Sequence, residues 1–558
     1  MNIASSNTVY GQFSEAAHEG PELPFLCYPS SPTRSYMPDG CELSYGHGLT
    51  IVDDLAARYR DAGYGHGHRV ALIAGNRPEH FWHFLALNSI GVCVVTLNPE
   101  YRPHELAYGI DFPKCSAVVA VDPWIANVEE VAQTLVPAVP VIDASALPAR
   151  YPPPARAPDP VGADKSEWPA LIIYTSGTTG RPKGCIISNA SCLAAANSYT
   201  DAGGLLDLVQ RKERIYIPLP AFHMNVSVYT LNTITKIRGC LIMQDRFTVS
   251  RWWSDIRETR ATGFHYMGII PPLLLKSAPV EDDKRHNLKF GQGAGVDPLV
   301  REAFEERFGV PLIEAWGMTE TSRAIQNSHT PRCLEPRAFG RPGPPLEVRI
   351  VDESDRQLPL NTPGELTIRA AGDDPRRGFF SGYLNQPDET EHAWRGGWFH
   401  TGDIVTQRVD GMLFFVDRLK NIIRRSGENI AAAEIEEALH ILPQVKSAAA
   451  MAVPDEFHDE EIMACVVLMP GVEPTVETAT ALLFATRQTL ADFKVPAWIS
   501  FVDTIPVTGT QKVQKGQIFD VGQDPRADRR SHDLRAVKRQ LKLSSSNTTG
   551  PTGNAGVA

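Results

Sequence analysis

Between residues 49 and 98, short apolar runs alternate with stretches of helical period, and this alternation restricts the possible folds more than any other feature. LTIVDDLAARYRDA (49–62) sets Leu49, Val52, Leu55 and Ala56 on one helical face with charges opposite. RVALIAG (69–75) reads as a buried strand, EHFWHFLALNSIG (79–91) as a helix closed by Gly91, and VCVVTLN (92–98) as the next strand. Strands apolar on both faces must be covered on both, so this order predicts an α/β fold with a wound parallel sheet. The pattern recurs in LIIYT, a helix after Ser188, RIYIPL, GCLIMQ, a helix from Ser250 and GFHYMGII. YPPPARAPDP (151–160), with five prolines in ten residues, reads as a stiff surface connector. After Asp403 the texture changes. MLFFVD and KNIIRRSGENI lead into a compact α+β segment, with AEIEEALHIL and TVETATALLFATRQTL as helices and KSAAAMAVP and MACVVLMP as strands. That module is expected to end near Asp520. The tail, finishing in LSSSNTTGPTGNAGVA, lacks apolar anchors and reads as partly disordered.

The chain has 558 residues, 43% hydrophobic and 21% charged, enough for a sizeable core. Its net charge of −11, from 65 acidic and 54 basic residues, argues against nucleic acid or anionic lipid as partner but leaves room for a local cationic site. Nine cysteines show no CxxC pair and no zinc spacing, as expected for free thiols in a reducing compartment. The first twenty residues do not read as a secretory signal, and no window approaches 18 uninterrupted apolar residues. The expected location is the cytoplasm, with no membrane span.

YTSGTTGRPKG (174–184) packs three glycines, four aliphatic hydroxyls and two cations into eleven residues. A Walker loop needs Gly-Lys-Ser/Thr; here Lys183 follows Pro182 and precedes Gly184, so the pattern fails. The physics is shared all the same. Gly177 and Gly180 let successive N–H groups point inward, Ser176, Thr178 and Thr179 add donors, and Lys183 adds charge. A strand-to-helix turn with polar filler is the bland alternative.

The loop closely resembles the phosphate loop of the adenylate-forming superfamily: acyl-CoA synthetases, nonribosomal-peptide adenylation domains and luciferases. Further blocks follow in the family's order over roughly residues 40–520. PLPAFHMN (218–225) resembles the block that puts a histidine, here His223, beside the acyl pocket. EAWGMTE (314–320) resembles the adenine-site block, with Trp316 in place of the more usual tyrosine, Thr319 on phosphate and Glu320 on Mg²⁺. GWFHTGD (397–403) resembles the block whose aspartate, Asp403, grips the ribose hydroxyls. FVDRLKNIIRRSGENI (415–430) resembles the hinge, with Arg418 reaching the ribose, Lys420 at the pivot and Gly427 against the coenzyme A path. PVTGTQKVQK (506–515) resembles the catalytic-lysine block, with Lys512 as the lysine, Gln511 in place of the usual glycine, and Lys515 as the alternative. RFTVSRWWSDI and ATGFHYMGIIPPLLL look most like crotonobetaine/carnitine-CoA ligase-like and fatty-acid-transport-like synthetases.

The resemblance implies a large AMP-binding domain over 1–417, including a β-rich subdomain. It implies a hinge at 418–421, a small mobile lid at 422–520 carrying Lys512, and a tail at 521–558. Thr175, Ser176, Gly177, Thr178, Thr179 and Gly180 would hold ATP phosphates. Gly293, Ala294, Glu314, Ala315, Trp316, Gly317, Met318, Asp403, Phe415 and Arg418 would surround the nucleotide. Lys512, Glu320, Thr319, His223 and Lys183 would carry catalysis. His223, Met224, Asn225, Tyr229, Gly293, Gly295, Met318 and Arg323 would meet the acid, a mixture suited to a short, polar or carnitine-like carboxylate. The implied reaction joins a small-molecule carboxylic acid to coenzyme A with ATP and Mg²⁺, through an acyl adenylate. A stand-alone adenylation enzyme loading a carrier protein or other acceptor is the alternative. A light-emitting oxygenase and a dead scaffold are the remaining rivals, and a homodimer is an expectation only.

Overall fold

The computed structural model describes residues 7–146, 150–162, 164–175, 182–268, 270–296, 298–418, 422–425, 428–457, 459–506, 513, 515–520 and 522–540. The chain divides into two compact units, with the main boundary between residues 419 and 420.

Among the described residues the first unit holds three sheets. A seven-stranded sheet runs in the order 382–383, 183–188, 169–175, 93–96, 69–73, 117–120, 141–143. Its central strands Cys93–Thr96, Arg69–Ile73 and Ala117–Ala120 are mutually parallel and almost wholly buried. Coverage on both faces explains why they are continuous apolar runs rather than alternating ones. An eight-stranded sheet runs 324–326, 312–317, 290–294, 263–267, 214–217, 240–243, 24–28, 41–44, parallel except at its two edges. The third is an antiparallel five-stranded sheet built from 338–340, 413–418, 399–407, 364–370 and 346–351.

Helix Tyr45–Asp61 begins earlier than its charge pattern predicts, because Ser44 caps it by accepting from the His47 N–H. It buries Val52, Leu55, Ala56 and Tyr59, with Leu49 only partly covered. Helix Pro78–Ser89 is buried nearly all round and stops before Gly91, whose φ of +79° a side chain would resist. The segment after the glycine-rich loop does not enter a helix directly. Lys183–Ser188 first forms a strand antiparallel to Pro169–Thr175, and only then does Ser188 cap helix Asn189–Thr200. The loop therefore closes a hairpin, and no helix N-terminus directly follows it. The proline-rich connector is exposed over most of its length, but Tyr151 is buried against Tyr59.

In the second unit, strands Ile422–Arg425 and Glu428–Ala431 form a hairpin. Helices Ala432–His440 and Val476–Thr486 pack over strands Val445–Asp455, Asp459–Leu468 and Trp498–Phe501. Ile423, Ile435, Leu439, Ile462, Val466, Leu483 and Ile499 form its core. This unit extends past the expected end at Asp520. Strand Ser531–Asp533 pairs with Trp498–Phe501, Leu534 is buried, and Lys538 donates to Glu461 Oε1 at 3.0 Å. Burial alone would raise the Glu461 carboxyl, but Lys538 and Arg425 outweigh it and hold the group below its ordinary range. No sequence pattern announces this attachment, because a strand of three residues carries no readable period. Among the described residues no helix is long and apolar enough to cross a membrane.

Candidate active site

Thr175 and Lys183 face each other across the hairpin, at the ends of the segment that carries the glycine-rich loop. Ser176, Gly177, Thr178, Thr179 and Gly180 lie outside the described residues, as do Lys420, Gly427, Gln511 and Lys512. Lys183 is buried, with Nζ 2.5 Å from Glu389 Oε2 and 4.8 Å from the centre of the Tyr383 ring. Tyr383 pairs with Cys185 as an edge strand, and its hydroxyl donates to Glu320 Oε1 at 3.0 Å. Burial, with the Glu320 charge added, keeps the phenol protonated far above its ordinary range. Lys183 and Glu320 are thereby joined through one aromatic residue. The motifs do not point to Tyr383 or Glu389, since GYLNQPDET has the texture of an ordinary loop. Among the described residues, no cluster of three or more His, Cys, Asp or Glu side chains forms a metal cage. Glu320 offers one carboxylate there, a donor set that would fit a Mg²⁺ ion held mainly by phosphate oxygens and water.

Asp403 lies on strand Phe399–Gln407 and is 0% exposed. The turn before it is tied down. Glu365 accepts from the Gly402 N–H at 3.0 Å and sits 2.9 Å from His400 Nδ1, while the Asp403 N–H donates to Thr401 Oγ1 at 3.1 Å. Trp316 donates its indole N–H to Asp403 Oδ2 at 2.9 Å and packs beside Phe339. Backbone register sets Asp403 opposite Arg418, and Phe415 opposite Val405 on the same strand pair.

Glu314 is engaged by the neighbouring turn and strand. Oε1 accepts from the Tyr266 hydroxyl at 2.8 Å and the Val296 N–H at 3.3 Å, and Oε2 accepts from the Gly295 N–H at 2.9 Å. Both oxygens hold the turn after strand Phe290–Ala294. Gly293 is required by the neighbouring strand, since a Cβ there would lie 2.2 Å from the Tyr266 carbonyl oxygen; it does not simply leave room for a substrate. Gly295, at φ +81° with open space around it, needs glycine for its backbone. Burial pushes the Glu314 carboxyl up to about 7, against the lowering effect of its three hydrogen bonds. The folded protein thus holds this proton more tightly than the unfolded chain does. Its contribution to stability is full below about pH 4.5 and is lost as pH rises toward about 7, at most about 3 kcal/mol. Glu314→Gln is expected to remove that dependence: its thermal midpoint should gain on the wild type's between pH 5 and 8, and parallel profiles would contradict this account.

The segment carrying His223 is held from below. Asn76 Oδ1 accepts from the Ala221 N–H at 2.7 Å, and Asn76 Nδ2 donates to the Leu219 and Gln244 carbonyls. Thr96 Oγ1 donates to the Phe222 carbonyl at 2.9 Å. A polar residue just past a buried strand, as Asn76 is in ALIAGN, is the available sign of this clamp. Asn225–Thr230 then forms a π-helix, a rare geometry often found at functional sites. Burial lowers His265 to about 3, so its imidazole is neutral; Nδ1–H donates to Asn225 Oδ1 at 2.8 Å and Nε2 accepts from the Tyr199 hydroxyl at 3.0 Å. Tyr229 stacks on Tyr199 at 4.8 Å, and its oxygen accepts from Gln292 and Gln326. Arg323 is engaged apart from these groups. Its guanidinium donates to the Arg377 carbonyl at 2.6 Å and lies over Phe379. Burial, with Arg377 adding repulsion, lowers it to about 10.

Residues 13–384 match the AMP-binding enzyme family, and residues 434–512 match the AMP-binding enzyme C-terminal domain. Crotonobetaine/carnitine–CoA ligase of Proteus mirabilis is 28% identical over 492 residues, covering 85% of this chain and 92% of that protein. Sulfoacetate–CoA ligase of Cupriavidus necator is 28% identical over 520 residues, covering 92% and 98%. Among solved structures, o-succinylbenzoate CoA synthetase of Bacillus subtilis superposes with a TM-score of 0.78 at 21% identity, covering 91% of this chain and 98% of that one. Amide bond synthetase of Marinactinospora thermotolerans gives 0.73 at 26% identity, with the same coverage.

Proposed function

The chain belongs to the AMP-binding enzyme family, and from that premise we propose that it is an ATP-dependent acid–CoA ligase. An acid attacks ATP to form an acyl adenylate and pyrophosphate, and the thiol of coenzyme A then displaces AMP. The observation that carries the reading is the buried meeting of Trp316 and Asp403, 87 residues apart, in the unit where Tyr383 also joins Lys183 to Glu320. Trp316, Asp403, Lys183 and Glu320 are positions that the family motifs assign to the nucleotide.

A carboxylate is a poor acyl donor because its leaving group would be oxide. Making the mixed anhydride brings one anion to another, so charge dominates the barrier. Lys183, the donors of the 175–180 loop and Lys512 oppose that charge. A Mg²⁺ ion accompanying the nucleotide would be held by Glu320 and would neutralise phosphate charge there. Asp403 and Arg418 hold the ribose, which fixes the α-phosphate relative to the acid. For the second step we infer rotation of the small unit about Lys420, withdrawing Lys512 and bringing the segment around Gly427 to the pantetheine. The acid is taken to be short with a polar end. Two relatives carry names of that kind, and the phenol oxygen of Tyr229 accepts from the side-chain amides of Gln292 and Gln326. The cytoplasm, where ATP and coenzyme A are at hand, is the proposed location.

The test is AMP release from ATP across a panel of acids, with and without coenzyme A. Acid-dependent AMP matched by acyl-CoA, with carnitine-like or sulfonated short acids preferred to fatty acids, is the expected result. AMP matched instead by an amide or a loaded carrier would move the acceptor away from coenzyme A. The amide bond synthetase likeness makes an amine the arm to include. Absence of acid-dependent pyrophosphate release with every acid would end the ligase reading.

A further inference from the structure

Trp316 occupies the position where the family motif places an adenine-facing aromatic, but a ring face alone does not need an N–H. Here the indole edge is engaged: Nε1 lies 2.9 Å from Asp403 Oδ2, with Trp316 7% exposed and Asp403 0% exposed. The two residues come from different sheets. Leu312–Gly317 belongs to the eight-stranded sheet and Phe399–Gln407 to the five-stranded one. Thr401 and Glu365 fix the backbone entering Asp403, but they do not set the rotation of its carboxylate. A hydrogen bond from a rigid bicyclic ring acts on that rotation directly, and in a buried site it is stronger than in water. Phenylalanine has no donor, and tyrosine carries its hydroxyl at the far end of the ring rather than on the flank where Nε1 sits.

We propose that Trp316 is a positioning residue: through its indole N–H it orients the Asp403 carboxylate, and so sets how strongly the enzyme discriminates in favour of the ribose hydroxyls of ATP. The proposal rests on the nucleotide reading of Asp403 given above.

The experiment compares kcat/KM for ATP and for 2′,3′-dideoxy-ATP in wild type, Trp316→Phe and Trp316→Tyr, with melting curves of each. Wild type should prefer ATP. Both variants should lose about tenfold with ATP, the scale of one charge-assisted hydrogen bond. Any loss with the dideoxy nucleotide should be about tenfold smaller than the loss with ATP, so that the preference for ATP falls about tenfold, and the KM for the acid should stay put. Equal losses on both nucleotides would mean that the ring merely packs or stacks, and would overturn the proposal. Should one variant melt below the assay temperature, the other carries the same comparison. A wild type that turns over both nucleotides equally would remove the ribose role of Asp403, and the proposal with it. A wild type that consumes no ATP would instead count against the ligase reading itself. The three failures are therefore distinguishable.

Discussion

Lys512→Ala is expected to slow adenylate formation from acid and ATP by about 10²–10³-fold, the usual cost of losing one preorganised charge donor. Thioester formation from a supplied acyl adenylate should remain within a few-fold of wild type. The asymmetry follows from the chemistry. In the first step the carboxylate attacks the α-phosphorus and pyrophosphate leaves, so the charge that Lys512 opposes builds at the reacting phosphate; in the second the thiol attacks the acyl carbonyl and AMP leaves, with no attack on phosphorus. The competing cation is Lys515, further along the same PVTGTQKVQK block. Its Nζ lies 2.7 Å from Glu436 Oε1 and donates to the Ala450 carbonyl at 2.7 Å, so it is already engaged within its own unit. Lys515→Ala should therefore not reproduce the split. Pyrophosphate release measures the first half-reaction, and conversion of synthetic acyl adenylate to acyl-CoA the second. Equal loss in both halves would withdraw the assignment of Lys512.

Lys420→Pro should produce the mirror image. Proline fixes φ near −65° and removes a backbone donor, so a residue that must change its backbone angles between two steps is held to one set. Adenylate formation should persist, while thioester formation falls ~10²-fold, the scale on which a misplaced reactant slows a step. Acyl adenylate would then accumulate on the enzyme, and a quench-and-extract assay would detect it. Unchanged overall turnover in this variant would remove the proposed rotation at Lys420. Taken together, the two substitutions dissect one cycle: each should spare the half-reaction that the other blocks.

The motif residues are legible because nucleotide chemistry demands fixed types at fixed spacing. Asp403 in GWFHTGD and Trp316 in EAWGMTE stand out from their motifs alone. Their supports do not. Glu389 and Tyr383 reach Lys183 across about two hundred residues of chain, and no local pattern announces such a contact. Glu314 and Arg323 sit inside or beside a motif and so read as ligand-binding. The fold adds what the motif does not show, tying Glu314 to the Gly295 turn and Arg323 to Arg377 and Phe379. Strand Ser531–Asp533 is invisible in the sequence because three residues give no periodicity, and only pairing with Trp498–Phe501 makes them a strand.

By itself the sequence determined the α/β class, and through its motifs it led to the expectation of a two-part organisation and of which residues face the nucleotide. Hydrophobic period and motif spacing are properties of neighbours along the chain, and these features depend on little else. Only the tertiary structure decided which oxygen each donor meets: indole on Asp403, phenol on Glu320, backbone N–H groups on Glu314. A hydrogen bond tolerates errors of a few tenths of an ångström, and that precision arises only where segments distant along the chain are packed together.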